Sequence, residues 1–241
     1  MLTRCPNPVC RLSFEVEAEA EGKNGACPAC GQVITFRSLR VILEVERQHA
    51  AVQQRRARPS TETAPVVRLT ALLENIRSLW NVGSIFRSAD GAGFGTLYLC
   101  GITGCPPQKA IAKTSLGAEE HVAWQHQVHA CEILPALKQA GVQIVALESA
   151  PGSLDLSQAL AEGALRPPLC LVVGNEVAGV SAETLSAADR VCHLPMQGIK
   201  SSLNVAVAFG IAAYQIREYC DRQPRAAPPI SEPGEASPIT A

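Results

Sequence analysis

Five short apolar runs constrain the architecture most: Val66–Leu73, Thr96–Gly101, Gln143–Glu148, Leu169–Val173 and Arg190–Leu194. Between them lie stretches of helical character, Val82–Ala92, Ala130–Ala140 and Asn204–Tyr219. Strands that alternate with helices pair in parallel, so the pattern predicts an α/β domain with a mainly parallel sheet. A chain of 241 residues, 47% of them hydrophobic, has room for one medium domain with a full core plus a small module.

The small module is predicted at residues 1–37. Cys5 and Cys10 are followed, after sixteen residues, by Cys27 and Cys30, with Gly25 and Gly31 at turns and β-type runs at Leu12–Val16 and Gln32–Phe36. Four thiolates in two knuckle-like pairs suit tetrahedral zinc, and a unit this short needs the metal to supply folding free energy. A closed site with four cysteines leaves no open coordination position, so the zinc would be structural. Two disulfides or a chance cluster are the competing readings. The start of the chain has no apolar run like that of a cleavable signal, and no stretch approaches a membrane span. A reducing, cytoplasmic setting is therefore expected, with the other six cysteines packed as small hydrophobes.

Residues 38–65 read as a helical, basic connection ending in Arg55, Arg56 and Arg58 and in the Pro- and Thr-containing linker Pro59–Pro65. The α/β domain then occupies 66–220. The Pro- and Ala-rich stretch 221–241 reads as a disordered tail. A formal net charge of −1 argues against coating nucleic acid through bulk charge, and 4% aromatic residues argue against base stacking as the main mode of RNA contact. The five histidines lack metal-ligand spacing and read as structural or solvated.

Three segments carry candidate chemistry. In Glu74–Gly95, Asn81 is placed to cap a helix starting near Val82, and Arg87 reads as a solvated helix residue. In Leu169–Ser181 a buried strand enters a glycine turn with one carboxylate, Glu176. In Leu194–Gly210 a loop leads through Ser202 and Asn204 into an apolar helix, where capping alone could explain Ser202. Each ordinary reading stands by itself. Taken together and in order, the three resemble the signature motifs of the SpoU (TrmH-like) branch of the SPOUT RNA methyltransferases. Lys113–Glu119 also looks like a segment of that family, and the likeness runs from about Leu69 to Tyr219.

The resemblance implies a sheet whose C-terminal part is tied in a trefoil knot that forms the pocket for S-adenosylmethionine. It places Gly174, Leu194 and Leu203 at the cofactor, and Arg87, Asn81, Glu176, Ser202 and Asn204 among the catalytic residues. Such a chain would methylate a ribose 2′-hydroxyl in structured tRNA or rRNA, as a homodimer whose active site draws on both subunits. Glu176 would orient Arg87 or balance the sulfonium charge. The competing function is a zinc-ribbon RNA-binding or assembly protein that keeps the fold without catalysis. Base methylation is disfavoured by the Asn81 to Arg87 pattern. Since the motifs all lie beyond the linker, removing residues 1–60 is expected to leave cofactor affinity unchanged.

Overall fold

The structure, a computed structural model, describes residues 1–56 and 69–223, and of 51–56 only the helical backbone. The expected linker Pro59–Pro65, the side chains of Arg55, Arg56 and Arg58, and positions 224–241 of the expected tail lie outside the described residues. Positions 221 and 222 belong to the last helix.

The first unit is two small antiparallel hairpins. Strand β1 (Leu2–Arg4) pairs with β2 (Ser13–Glu15), and β3 (Asn24–Ala26) pairs with β4 (Val33–Thr35). Each hairpin carries one cysteine pair in its turn. Its apolar core is only Cys5, Cys27 and Ile34, flanked by Cys10, Phe14 and Phe36, with Thr3 as a buried polar neighbour in the same unit. Helix α1 (Leu39–Arg56) follows, with Ile42 and Val45 buried.

The main unit is a seven-stranded, wholly parallel sheet. Its strands are β5 (Leu69–Glu74), β6 (Thr96–Cys100), β7 (Ala123–Gln127), β8 (Gln143–Leu147), β9 (Leu154–Asp155), β10 (Leu169–Val173) and β11 (Arg190–His193). Their spatial order is β7-β6-β5-β10-β8-β11-β9. All five predicted strands are present, within a few residues. Two more, β7 and β9, had no apolar run to announce them.

Burial alternates along the central strands. Leu69, Ala71, Leu73, Leu169, Leu171 and Val173 face one layer of helices, and Leu72, Cys170 and Val172 face the other. The first layer holds α2 (Leu79–Gly91), α3 (Lys109–Ser115), α4 (Ala118–His121), α6 (Leu156–Ala161) and α8 (Val205–Arg222); the second holds α5 (Ala130–Gln139) and α7 (Ala182–Ala187). Both sheet faces are therefore covered, which is why β10 is a continuous apolar run and β5 is buried along its whole length. Among the described residues no helix is long and apolar enough to cross a membrane.

The hairpin unit is hydrogen-bonded to the sheet unit. Thr35 N donates to Glu183 Oε1 at 2.8 Å, and Thr35 Oγ1 accepts from Ala182 N at 3.2 Å. Helix α1 bridges the two units: Arg4 pairs with Glu46 at 3.1 Å, while Gln48 Nε2 donates to Thr103 O at 3.2 Å. Below this junction the buried Glu74 accepts from Ser181 N (3.0 Å), Ser181 Oγ (2.7 Å) and Thr184 Oγ1 (3.2 Å). Burial raises its carboxyl pKa against the attraction of Arg37.

His129 lines a cavity at the same junction together with Arg37 and Glu183. Burial first, then the charges of Arg37, Arg11 and Arg4, push its imidazole down to about 4. The folded chain thus refuses a proton that the unfolded chain accepts near the ordinary histidine value of about 6.5. Its contribution is intact above that value and is lost as pH falls toward 4, by up to about 3 kcal/mol. Denaturant midpoints between pH 7 and 4.5 should fall less steeply in His129→Asn than in the wild type. Parallel profiles would show that His129 does not titrate with folding.

Candidate active site and metal centre

The first motif leaves β5 at Glu74 and enters α2. Ser78, not Asn81, is the helix cap: its hydroxyl accepts from Asn81 N at 3.4 Å. The capping expectation for Asn81 is corrected for a simple reason. A serine three residues earlier satisfies the first-turn amide, which frees the Asn81 side chain for longer-range contacts.

The second motif is the turn after β10. Asn175 N donates to Gly179 O (3.0 Å) and Gly179 N to Asn175 O (2.9 Å), closing a tight loop. A Cβ on Gly174 would overlap the Gly179 backbone, and one on Gly179, where φ is +70°, would overlap the Glu148 carboxylate. That carboxylate accepts from Val180 N at 2.8 Å, so these glycines are what bring Glu148 onto the loop. Glu176 accepts from Arg77 N (2.9 Å), Ser78 N (3.0 Å) and Asn81 Nδ2 (2.9 Å). Partial burial raises its pKa, but the amides of Arg77, Ser78 and Asn81 help outweigh that and hold the carboxyl below its ordinary value.

In the third motif Asn204 caps α8, its Oδ1 accepting from Ala206 N (3.0 Å) and Val207 N (3.3 Å). Its Nδ2 donates to Asn81 Oδ1 at 3.1 Å. Residues 95 and 123 positions from Asn81 are thereby joined into one chain, Glu176–Asn81–Asn204. Ser202 lies in the exposed loop before the cap and does not cap the helix.

The second and third motifs, with the ends of β8 and β11, line a cavity of ≈ 280 Å³ at the carboxyl ends of β8, β10 and β11. Open α/β sheets bind ligands at that end. Gly174, Glu176, Leu194, Ser202, Leu203 and Asn204 line it, whereas Asn81 does not. Leu147, Val173, Leu194 and Leu203 offer apolar walls to a flat ring; the seryl and amide groups offer hydrogen bonds. Glu148 and Glu176 are the only charged side chains in the lining, which therefore suits a ligand carrying positive charge. Glu148 and Asn175 are functional candidates the sequence reading missed, although an acidic residue closing a parallel strand was the available signal. Arg87 is not part of this cavity. It is exposed on α2 and makes no hydrogen bond or ion pair with a described residue, so the expected orientation by Glu176 is absent within one chain.

The four N-terminal cysteines form a separate cluster. Their Sγ atoms lie within 4.8 Å of one another, with Cys5 to Cys30 and Cys10 to Cys27 both at 3.7 Å. At 3.7 Å the Sγ atoms stand well beyond disulfide bonding distance, and the mutual closeness of all four suits one shared metal better than two disulfides. A regular tetrahedron with metal–sulfur bonds of about 2.3 Å has sulfurs about 3.8 Å apart. The donor set and its spacing therefore fit zinc. Cys100, Cys105, Cys170, Cys192 and Cys220 are buried, as expected, and Cys131 is partly so.

Residues 68–214 match the model of the SpoU rRNA Methylase family. The chain is 33% identical over 147 residues to a 23S rRNA (guanosine-2'-O-)-methyltransferase RlmB from Burkholderia, covering 61% of this chain and 58% of that one. It is 32% identical over 147 residues to the tRNA (guanosine(18)-2'-O)-methyltransferase of Aquifex aeolicus, covering 61% of this chain and 67% of that protein. Among solved structures, the A. aeolicus TrmH/SpoU tRNA modifying enzyme aligns with a TM-score of 0.58 at 27% identity, covering 76% of this chain and 85% of that one. The SpoU methyltransferase AviRb from Streptomyces viridochromogenes, solved in complex with AdoMet, aligns with a TM-score of 0.58 at 25% identity, covering 66% and 63%.

Proposed function

Since the chain belongs to the SpoU rRNA methylase family, we propose that it methylates a ribose 2′-hydroxyl in structured tRNA or rRNA, using S-adenosylmethionine. The observation that carries this reading is the Glu176–Asn81–Asn204 chain, which ties the first motif to two residues that line the cavity.

The cofactor, when bound, supplies a methyl group already activated on a sulfonium sulfur. The chain's own residues then have two tasks, to align a hydroxyl with that methyl and to ease the loss of its proton. Gly174, Leu194 and Leu203 hold the cofactor against the turn and the apolar walls. Glu176 and Glu148 present negative charge to the cation, while Asn81, Ser202 and Asn204 position the ribose and the cofactor's carboxylate. Arg87 acts on the RNA: a guanidinium is too weak an acid to serve as general base. It clamps the neighbouring phosphate and lowers the hydroxyl's pKa, with phosphate or water taking the proton.

An exposed Arg87 supports the further reading that the working unit is a homodimer with sites shared between subunits. Val207, Ile211 and Tyr214, exposed on α8 at helical spacing beside α2, provide an apolar stripe for that contact. Family membership also supports a trefoil knot through the motif segments and a cytoplasmic setting. The cysteine cluster holds one structural zinc ion.

The test uses the chemistry of the product. Incubation of the chain with unfractionated tRNA and rRNA and with methyl-labelled cofactor should place label in alkali-resistant dinucleotides, because a methylated 2′-oxygen cannot attack its phosphodiester. Label released as free nucleotides would mean base methylation. No label, with RNA still bound, would favour the non-catalytic assembly reading.

A further inference from the structure

Of the ten aromatic side chains (Phe, Tyr and Trp), eight are at least partly buried, and only Trp80 and Tyr214 are exposed. Trp80 is 52% exposed in the first turn of α2, directly before Asn81. Its position is fixed by a close approach of α3. A Cβ on Gly83 would overlap Thr114 Oγ1 and Ile111 O, and Thr114 Oγ1 donates to Trp80 O at 3.0 Å. The same approach sets Lys113 Nζ over the indole, 5.6 Å from the ring centroid.

Helical spacing extends this pair into a strip. Lys109 and Lys113 are four residues apart and share a face of α3. Trp80 and Arg87 are seven apart, so they project within about 20° of each other from α2. Lys109, Lys113 and Arg87 are all exposed, and none has a carboxylate within ion-pair distance among the described residues. In a chain of net charge −1, three cations without a carboxylate partner thus lie on the two helices that carry and approach one half-exposed indole, next in sequence to Asn81. Cations spaced along an aromatic platform match a single nucleic-acid strand, whose phosphates alternate with stackable bases.

We propose that Trp80 stacks on an unpaired base next to the target nucleotide, with Lys109 and Lys113 on the adjoining phosphates. The strip leads the RNA strand to Arg87 and selects substrates whose flanking base is free to unstack. The assignment rests on the RNA-methylation reading and adds to it a contact residue within the first motif, directly before Asn81, that had been given no role. The indole is half exposed, and Lys113 Nζ approaches it from α3, so a base stacked on the exposed part of the ring has a cation close by.

The full chain is tested with a short unstructured oligouridylate as probe. Oligouridylate should quench the intrinsic tryptophan fluorescence of the wild type, and Trp80→Phe, which retains Trp124, should lose most of that quenching. Trp80→Ala should weaken oligouridylate binding by roughly 5- to 100-fold, the range set by one base–aromatic stack. Trp80→Phe should restore much of the loss. Replacing Lys109 and Lys113 together with alanine should make the salt dependence shallower by about 1.4 in log–log slope. Cofactor affinity should stay within two-fold in every variant. Unchanged quenching or unchanged affinity in the Trp80 variants overturns the proposal. So does dissociation of a dimer in Trp80→Ala, which would assign the face to a second copy of the chain. Failure of the methylation reading looks different: Trp80-dependent binding would persist, with no label entering any RNA.

Discussion

Arg87→Ala should lower methyl transfer by at least about 10²–10³-fold, the effect of removing one preorganised cationic contact from a transition state, while cofactor affinity stays within a few-fold. The guanidinium lies outside the cavity and touches none of its lining, so its loss leaves the Glu176–Asn81–Asn204 chain intact. It has no hydrogen-bond or ion-pair partner among the described residues either, so stability should hardly move, as for other surface substitutions. Label incorporation into unfractionated RNA reads the first effect, and calorimetric titration with S-adenosylmethionine reads the second. A large loss of cofactor affinity would place Arg87 at the pocket and reject its assignment to the RNA phosphate. Arg87→Lys should recover little, because an ammonium lacks the planar fork that grips phosphate through two bonds.

Paired substitution of Cys27 and Cys30 should abolish binding of about one equivalent of zinc per chain and unfold the hairpin unit. Its three-residue core of Cys5, Cys27 and Ile34 is too small to persist alone, and structural zinc supplies on the order of 10 kcal/mol to such modules. The consequence reaches further than the sequence suggested. Thr35 holds Glu183 and Ala182, and next to them Glu74 grips Ser181 and Thr184, at the far end of the loop that carries Gly174 and Glu176. Loss of the metal should therefore weaken cofactor binding several-fold instead of leaving it untouched. Metal analysis, near-UV circular dichroism and cofactor titration on the full chain check the three parts. A metal-free protein with a folded hairpin unit would dismiss the zinc assignment, and unchanged cofactor affinity would show that the junction transmits nothing. The charge balance of residues 1–37 fits this supporting role better than a grip on RNA. Arg4, Arg11, Lys23 and Arg37 are offset by Glu15, Glu17, Glu19 and Glu21.

What the sequence made legible was the part governed by local pattern. Strand β10 occupies Leu169–Val173 as expected, because an apolar run buried on both faces has no other reading. Strand β7, Ala-Trp-Gln-His-Gln, lies at the sheet edge with Gln125 exposed and Gln127 partly so while His126 is buried, and its polar composition conceals it. Helices α3 and α4 are too short to show a period. At the site, motif order located the residues, but their partners could not be read. Asn81 meets Glu176 and Asn204 across 95 and 123 positions, and the capping rule that pointed to Asn81 was satisfied by Ser78 instead. Glu148 belonged to no motif and emerged only when β8 was placed beside β10. The junction was invisible for the same reason: Thr35 and Glu183 are 148 positions apart.

The place of β10 in the sheet also determines when a growing chain becomes competent. It pairs with β5 at Leu69 and with β8 at Gln143, filling the gap between strands that share no other neighbour. Until residue 173 has been synthesised, β5–β7 and β8 are two fragments with no hydrogen bonds across them. The loop that Glu74 clamps and the Asn204 cap come later still. Contacts this distant in sequence make for slow final assembly, and cofactor can stabilise only the finished form. A nascent chain stopped before its last third would own a complete hairpin unit and part of a sheet, yet lack the β10 turn and the Asn204 cap that line the cavity.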